Sequence, residues 1–337
     1  METKIYESSD KEGVTLCGKM IASGGIVAFP TETVYGLGCS AYDGKAAKKV
    51  FAAKGRPCDN PLIVHIADKG DIEKIAFPTE LSKKLSDAFM PGPFTMILKK
   101  KDVIPSEVTA GLDTVAIRFP ESDEALELIR ASGVPVAAPS ANISGRPSPT
   151  TASHVKEDLS GRVDAIICGA DCKVGLESTV VAVKSDRVLL CRPGKVTPED
   201  IEALGIKVEI PENLNRTASD DEKVISPGMK YKHYAPKGRL ILLEGDGALK
   251  RLIKEKQNGC GIICFDEDIE YLDGELTVSL GKRDDSESHA ERLFAALRFF
   301  DSKNTEIIYS RVPKKSGVGL AVYNRILKAA GSRVEKL

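Results

Sequence analysis

Residues 26–38 read Ile26-Val27-Ala28-Phe29-Pro30-Thr31-Glu32-Thr33-Val34-Tyr35-Gly36-Leu37-Gly38: four apolar residues, a proline, then a polar, glycine-bearing segment. The apolar run predicts a strand that stops at Pro30, because proline cannot donate to a sheet ladder. The segment after Pro30 admits two readings. It is a loop at a strand end, where hydroxyls, a carboxylate and glycine backbone can meet a ligand. Or it is a capped turn into a helix, with Thr31 as the N-cap.

Working outward, Lys45–Lys54 spaces Ala46, Ala47, Val50 and Phe51 as one face of a helix. A second helix is expected over 79–89, and strands over 62–66, 94–98, 114–119, 134–138, 163–168, 178–183 and 188–191. Strands outnumber helices and do not alternate with them one for one. That excludes a simple doubly wound sheet and predicts a large mixed, twisted sheet with helices packed on it. Thr197-Pro198-Glu199-Asp200 opens a short helix, with Thr as N-cap and Pro at the first position. Polar residues and Ser226-Pro227-Gly228 come next, so a linker is placed at 207–236, between a first domain (1–206) and a small C-terminal one (237–337). In the latter, strands at 239–244, 261–265 and 305–309 alternate with helices at 247–255, 286–302 and 320–330. This predicts a three-layer α/β domain with a parallel sheet.

The 337 residues are 42% hydrophobic and 29% charged, with formal net charge −1, as in an ordinary soluble protein. No polybasic tract marks a nucleic-acid binder, no apolar run reaches bilayer length, and no signal core succeeds Met1-Glu2-Thr3-Lys4. A cytoplasmic protein is expected, with no membrane partner. The eight cysteines include no CxxC pair and histidines number four. Buried reduced thiols are preferred over zinc, and no metal-ligating residues are assigned.

Lys54-Gly55-Arg56-Pro57 ends the first helix. Its two cations complement either the helix C-terminus or the phosphates of a ligand. The second reading gains from Ser140-Ala141-Asn142-Ile143-Ser144-Gly145-Arg146-Pro147-Ser148, a run of hydroxyls, amide and open backbone after the strand at 134–138. His65 lies in an apolar strand and is either a satisfied core residue or ligand-facing. Arg118, in Val115-Ala116-Ile117-Arg118-Phe119, must reach a partner: a ligand carboxylate or a structural ion pair. Gly175-Leu176-Glu177-Ser178-Thr179 and Arg192-Pro193-Gly194 add two polar loops at strand ends. No P-loop, GxGxxG turn or GxSxG elbow occurs, so a nucleotide would be held by a less common design.

These motifs together resemble the YrdC-like family, in its long two-domain form that makes threonylcarbamoyl-AMP. The resemblance rests on PTETVYGLG (30–38), KGRP (54–57), Ser140-Ala141-Asn142 with its SGRPS continuation, Glu177-Ser178-Thr179-Val180, Arg192-Pro193-Gly194 and Ser226 to Pro236. It implies a YrdC-like fold and an adenylyl-transferring enzyme that uses ATP, L-threonine and bicarbonate, with Mg²⁺ entering with ATP and no dedicated protein ligands. The product would pass to the machinery that threonylcarbamoylates tRNA, and a weak direct contact with tRNA stays open. The implied catalytic set is Lys54, Arg56, Ser140 and Asn142. ATP would meet Arg56, Asn60, Thr114, Ser140, Asn142, Ser148, Arg192 and Tyr234. Threonine would meet Thr33, His65, Arg118, Ala138 and Ser178. The tyrosine-rich linker around Lys230–Tyr234 is expected to act as a lid. A non-catalytic RNA-binding module of the same fold is the alternative, and a carbamoyl-transfer domain of hydrogenase maturation a weaker one.

Overall fold

The computed structural model describes residues 2–212, 214 and 234–337. The strands of its first sheet are β1 (Lys4–Glu7), β2 (Val27–Phe29), β3 (Gly36–Ser40), β4 (Ile63–His65), β5 (Phe94–Lys99), β6 (Thr114–Arg118), β7 (Val136–Ala138), β8 (Ala165–Cys168), β9 (Thr179–Val183), β10 (Arg187–Arg192) and β11 (Lys207–Glu209). They lie in the order β1-β8-β2-β3-β7-β4-β6-β5-β9-β10-β11, with parallel and antiparallel neighbours mixed. The mixed sheet expected from the strand-to-helix ratio is the one that forms.

Alternation along the strands divides the core. Val27, Phe29, Val136, Ala138, Ala165 and Ile167 pack under the helices Lys11–Ala22 and Asp123–Ser132. Ala28, Leu37, Cys39, Val64, Ile66, Met96 and Ile117 face the other way, toward Ala46, Ala47, Val50 and Phe51 of the helix Gly44–Lys54. Apolar burial of this kind is worth roughly 25 cal/mol per Å². The helix Pro198–Glu202 starts as expected, with a Thr197 capping box and Pro198 at its first position.

Residues 30–38 exclude one of their two readings. They do not turn into a helix: β2 pairs antiparallel with β3, Val27 opposite Gly38 and Phe29 opposite Gly36. The glycines serve packing. A Cβ on Gly38 would stand 2.6 Å from Val136 Cγ1, and one on Gly36 would stand 3.1 Å from the Phe29 ring. Thr31 accepts from the amides of Thr33 (3.2 Å) and Val34 (3.3 Å), closing a local turn where a helix cap was conceivable. The boundary at 206 also moves. β11 pairs parallel with β10, and Leu214 joins the core of the first sheet, so that unit runs past the expected end. The signal is weak because β11 has three residues, two of them exposed.

The second sheet contains β12 (Arg239–Glu244), β13 (Gly261–Cys264), β14 (Thr277–Ser279), β15 (Ile307–Arg311) and β16 (Val334–Lys336), all parallel, in the order β14-β13-β15-β12-β16. The helix Ala248–Gln257 covers one face through Ala248 and Leu252. Ser286–Ser302 and Val318–Ala329 cover the other, with Leu293, Phe294, Leu297 and Ile326 inward. Val34 and Leu176 of the first domain join that second core, so the two units share a dry contact. The expected lid residues Lys230, Tyr231 and His233 lie outside the described residues.

Candidate active site

The helix Gly44–Lys54 begins at Asp43, whose carboxylate caps Lys45 and Ala46, and ends at Gly55 in the left-handed region (φ 62°). That reversal suits glycine, which lacks the Cβ penalty. It leaves Lys54 facing inward and sends Arg56 out of the helix. Lys54 is 2% exposed and donates to the carbonyls of Ser140 and Asn142, with Asn142 Oδ1 at 3.4 Å. It therefore ties the helix end to the Ser140–Asn142 loop rather than capping its own helix. Burial, and next the Arg56 guanidinium, pull its ammonium pKa well below the usual lysine range. Arg56 is braced by the carbonyls of Asn60 (3.2 Å) and Pro61 (3.1 Å).

The loop after β7 is held by Leu37 donating to Pro139 and Ala141 donating to Tyr35, so the segments 30–38 and 139–148 lie side by side. Ser140 Oγ donates to Asn142 Oδ1 at 2.5 Å, while Asn142 Nδ2 donates to the carbonyls of Ile143 and Arg146, both at 2.9 Å. The amide thus shapes the loop whose rim carries Ser144, Gly145, Arg146 and Ser148.

Strand register builds the other wall. His65 on β4 lies opposite Arg118 on parallel β6 and opposite Val136 on antiparallel β7. His65 is 4% exposed. Its Nδ1 lies 3.0 Å from the Ile63 carbonyl. Burial, then the Arg118 charge, push the His65 pKa down to about 3. Arg118 meets Glu32 at 2.8 Å, and Glu32 also accepts from the amide of Glu121. Arg118 Nε has no hydrogen-bond partner among the described residues. The structure gives Arg118 its ion-pair partner, and the side chain also lines the cleft.

Together these walls line one cleft, open to solvent. Lys54, Arg56, His65, Arg118, Ala138, Ser140, Asn142, Ser148, Arg192 and Tyr234 all line it, as the sequence led us to expect. Four others do not. Thr33 is fully buried behind Thr31, its hydroxyl 2.8 Å away. Ser178 is fully buried between Thr95 (2.8 Å) and Arg192 (3.1 Å). Asn60 is 1% exposed, and neither atom of its amide has a partner among the described residues. Thr114 starts β6, roughly 13 Å along the strand from Arg118. The residues that sequence reasoning left unassigned are Glu32, Arg146 and Glu177. All three stood inside motifs already singled out. Glu32 needed its partner, far along the chain, to acquire meaning.

Glu177 is 6% exposed and accepts from Ser148 Oγ (2.6 Å) and Arg325 Nε (2.9 Å). Burial alone would raise its pKa, but the Arg325 and Arg192 guanidinium groups hold it down to about 2. Tyr234 stacks on Phe294 at 5.2 Å and has φ 63°. The next amide, of Ala235, donates to Gly145.

His65 carries a stability prediction. Its folded pKa, about 3, lies below the ordinary 6.5, so its contribution is fully present above pH 6.5 and is lost as pH falls toward 3. The expected loss is on the order of 3 kcal/mol. Denaturant unfolding of wild type and His65→Asn between pH 7 and 4 checks this. The variant should show a flatter profile, and parallel profiles would refute the assignment.

Residues 19–194 match the family profile for Sua5, YciO and YrdC, described as telomere recombination, and residues 196–331 match the threonylcarbamoyl-AMP synthase C-terminal domain. The threonylcarbamoyl-AMP synthase of Bacillus subtilis is 45% identical over 97% of this chain and 95% of its own. That of Pyrococcus abyssi is 42% identical over 99% and 98%. The crystal structure of P. abyssi Sua5 complexed with L-threonine superposes with a TM-score of 0.89 at 40% identity, covering 100% of this chain and 99% of that one. The chain belongs to the Sua5, YciO and YrdC family, in the form that carries the threonylcarbamoyl-AMP synthase C-terminal domain.

Proposed function

We propose that the chain is an L-threonylcarbamoyladenylate synthase: it joins L-threonine, bicarbonate and ATP and releases pyrophosphate. The carrying observation is that one cleft combines a cationic, hydroxyl-rich loop wall with a buried His65–Arg118 wall. The full-length likeness to synthases of that name supports the reading. The Arg118 guanidinium would take the threonine carboxylate, since its fork matches two oxygens. Neutral His65 cannot repel the ammonium-derived nitrogen. The threonine amine, once deprotonated, attacks bicarbonate and yields the carbamate and water. A carbamate oxygen then attacks the α-phosphorus, and the bond to pyrophosphate breaks. Arg56, Ser140, Asn142, Ser148, Arg192 and Tyr234 would hold the nucleotide, with Lys54 fixing the loop beneath it. Thr33, Asn60 and Ser178 would support the site from behind, and Mg²⁺ would arrive as part of the nucleotide substrate. The protein then acts chiefly by positioning and by spreading phosphate charge.

Cellular context belongs to the same proposal. The product would be consumed by a tRNA threonylcarbamoyl-transferring machinery in the cytoplasm. Among the described residues no helix is long and apolar enough to cross a membrane.

Pyrophosphate release is expected only with ATP, L-threonine and bicarbonate all present, falling at least about fiftyfold when either co-substrate is withheld. Equal release with ATP alone would make the chain a generic ATPase. A further variant tests the threonine wall. Arg118→Lys keeps charge but loses the fork, so the KM for threonine should rise about tenfold while that for ATP stays within about twofold. An unchanged threonine KM would leave Arg118 as the partner of Glu32 alone.

A further inference from the structure

The cleft contains a carboxylate in an unfavourable place. Glu177 lines it beside Ser148, Arg192 and Tyr234, where the proposed reaction puts a polyanion. An uncompensated buried carboxylate there would repel the substrate. Its charge is met from the other domain: Arg325, on the helix Val318–Ala329, is fully buried and bonds Glu177 Oε2 at 2.9 Å. The same guanidinium donates to Asn324 Oδ1 at 3.1 Å and stands 5.8 Å from the centre of the Tyr234 ring. The other carboxylate oxygen, Oε1, takes the hydroxyl of Ser148 at 2.6 Å.

We propose that Arg325 is a positioning residue of the nucleotide site, acting through Glu177 on Ser148 and lying against Tyr234. This rests on the synthase reading and extends it, because it makes the C-terminal domain part of the ATP site. Glu177 fixes the rotamer of Ser148 as a hydrogen-bond acceptor, and Arg325 bonds the carboxylate directly and, with Arg192, offsets the charge which that role leaves in the cleft. The arrangement is directional. Among the described residues the hydrogen bonds of Arg325 go to Glu177 and Asn324 and not to the His65–Arg118 wall, so its removal should weaken ATP and leave threonine alone.

The test uses the full-length chain and ATP. Calorimetry on wild type comes first, and failure to bind ATP would overturn the synthase reading itself. Given binding, Arg325→Gln should raise the KM for ATP at least tenfold and leave the KM for threonine within twofold. Arg325→Lys should recover only part of the loss, since a point charge replaces the fork. Arg325→Gln combined with Glu177→Gln should bind ATP at least threefold better than Arg325→Gln alone, because the carboxylate that has lost its partner on the C-terminal domain is gone as well. Arg311→Gln, which breaks a 2.8 Å ion pair to Asp268 inside the C-terminal domain, is the control and should leave the ATP KM unchanged. The proposal is overturned if Arg325→Gln folds and keeps a wild-type KM for ATP. It is also overturned if Arg311→Gln matches its loss, or if the double variant is no better than the single. Should Arg325→Gln not fold, the lysine and double variants decide on the same readouts.

Discussion

Lys54→Met is expected to lower pyrophosphate release by at least about a hundredfold and, at the same time, to destabilise the protein by about 2–5 kcal/mol. The two effects have one cause. Lys54 donates to the Ser140 and Asn142 carbonyls from a position 2% exposed. Methionine fills much of the same space and donates nothing. The buried Asn142 carbonyl and the part-buried Ser140 carbonyl would then lose this donor, at about 1–3 kcal/mol for the first and somewhat less for the second. The freed loop would carry Ser140 and Asn142 away from their places, and misplacement of about 1 Å can cost a hundredfold in rate. Arg56→Ala makes the contrast. Its guanidinium is partly exposed and braced by the carbonyls of Asn60 and Pro61. It should also lose about a hundredfold in rate, but little stability. Denaturant unfolding run alongside the pyrophosphate assay separates the two. If Lys54→Met keeps wild-type stability and loses only rate, the side chain serves the phosphates directly. If it keeps both, the interaction with the loop carries neither.

Local rules made much of this chain legible in advance. Thr197-Pro198 announced a helix start, and the spacing of Ala290, Leu293, Phe294 and Leu297 announced the helix Ser286–Ser302, which runs over the expected residues. Gly55 after Lys54 announced a helix end. Such signals lie within one or two turns of the residues they govern. Pairings between distant segments were not legible. The hairpin of β2 with β3 was hidden because Gly36 and Gly38 look like turn residues, while their purpose is to let the strand lie against Phe29 and Val136. The Arg118–Glu32 and Arg325–Glu177 pairs join residues whose separation in sequence carries no periodicity. The two possibilities left open for Arg118 could not be separated from the sequence because its ion-pair partner, Glu32, lies far along the chain. Motif residues such as Thr33 and Ser178 sit behind the cleft, bonded to Thr31 and to Arg192. A motif records a shared neighbourhood without saying which member faces the ligand.

A chain cut after residue 212 is expected to retain less than about 1% of the pyrophosphate release, yet to unfold at a denaturant concentration closer to wild type than Arg298→Met does in the full chain. The sequence led us to expect that a domain ending near 205 would stand alone, but that cut would also remove β11 from the first sheet. The cut after 212 spares β11 and strips the interface. There Arg298 bonds Asp158 at 2.8 Å and the Pro147 carbonyl at 2.7 Å, and the side chain of Asp158 is 0% exposed. Removing one partner of a buried pair strands the other and typically costs about 3–5 kcal/mol. Arg146 also meets Asp158, which places Arg298→Met at the lower end of that range. Truncation differs in sign at this point. Without the C-terminal domain, water reaches Asp158 and Glu177, so neither charge is stranded, and the cost is mainly the loss of Leu214 from the first core and of the cover over Val34 and Leu176. Activity has no such refuge. Tyr234 itself, Arg325, Phe294 and the Arg298 hold on the Pro147 carbonyl all depart together, and with them the support of Ser148. Truncation should therefore rank below Arg298→Met in lost stability and above it in lost rate. Should the truncated chain prove the less stable of the two, apolar cover outweighs charge pairing at this interface. Should it keep more than a tenth of the rate, the C-terminal domain is dispensable to the nucleotide site.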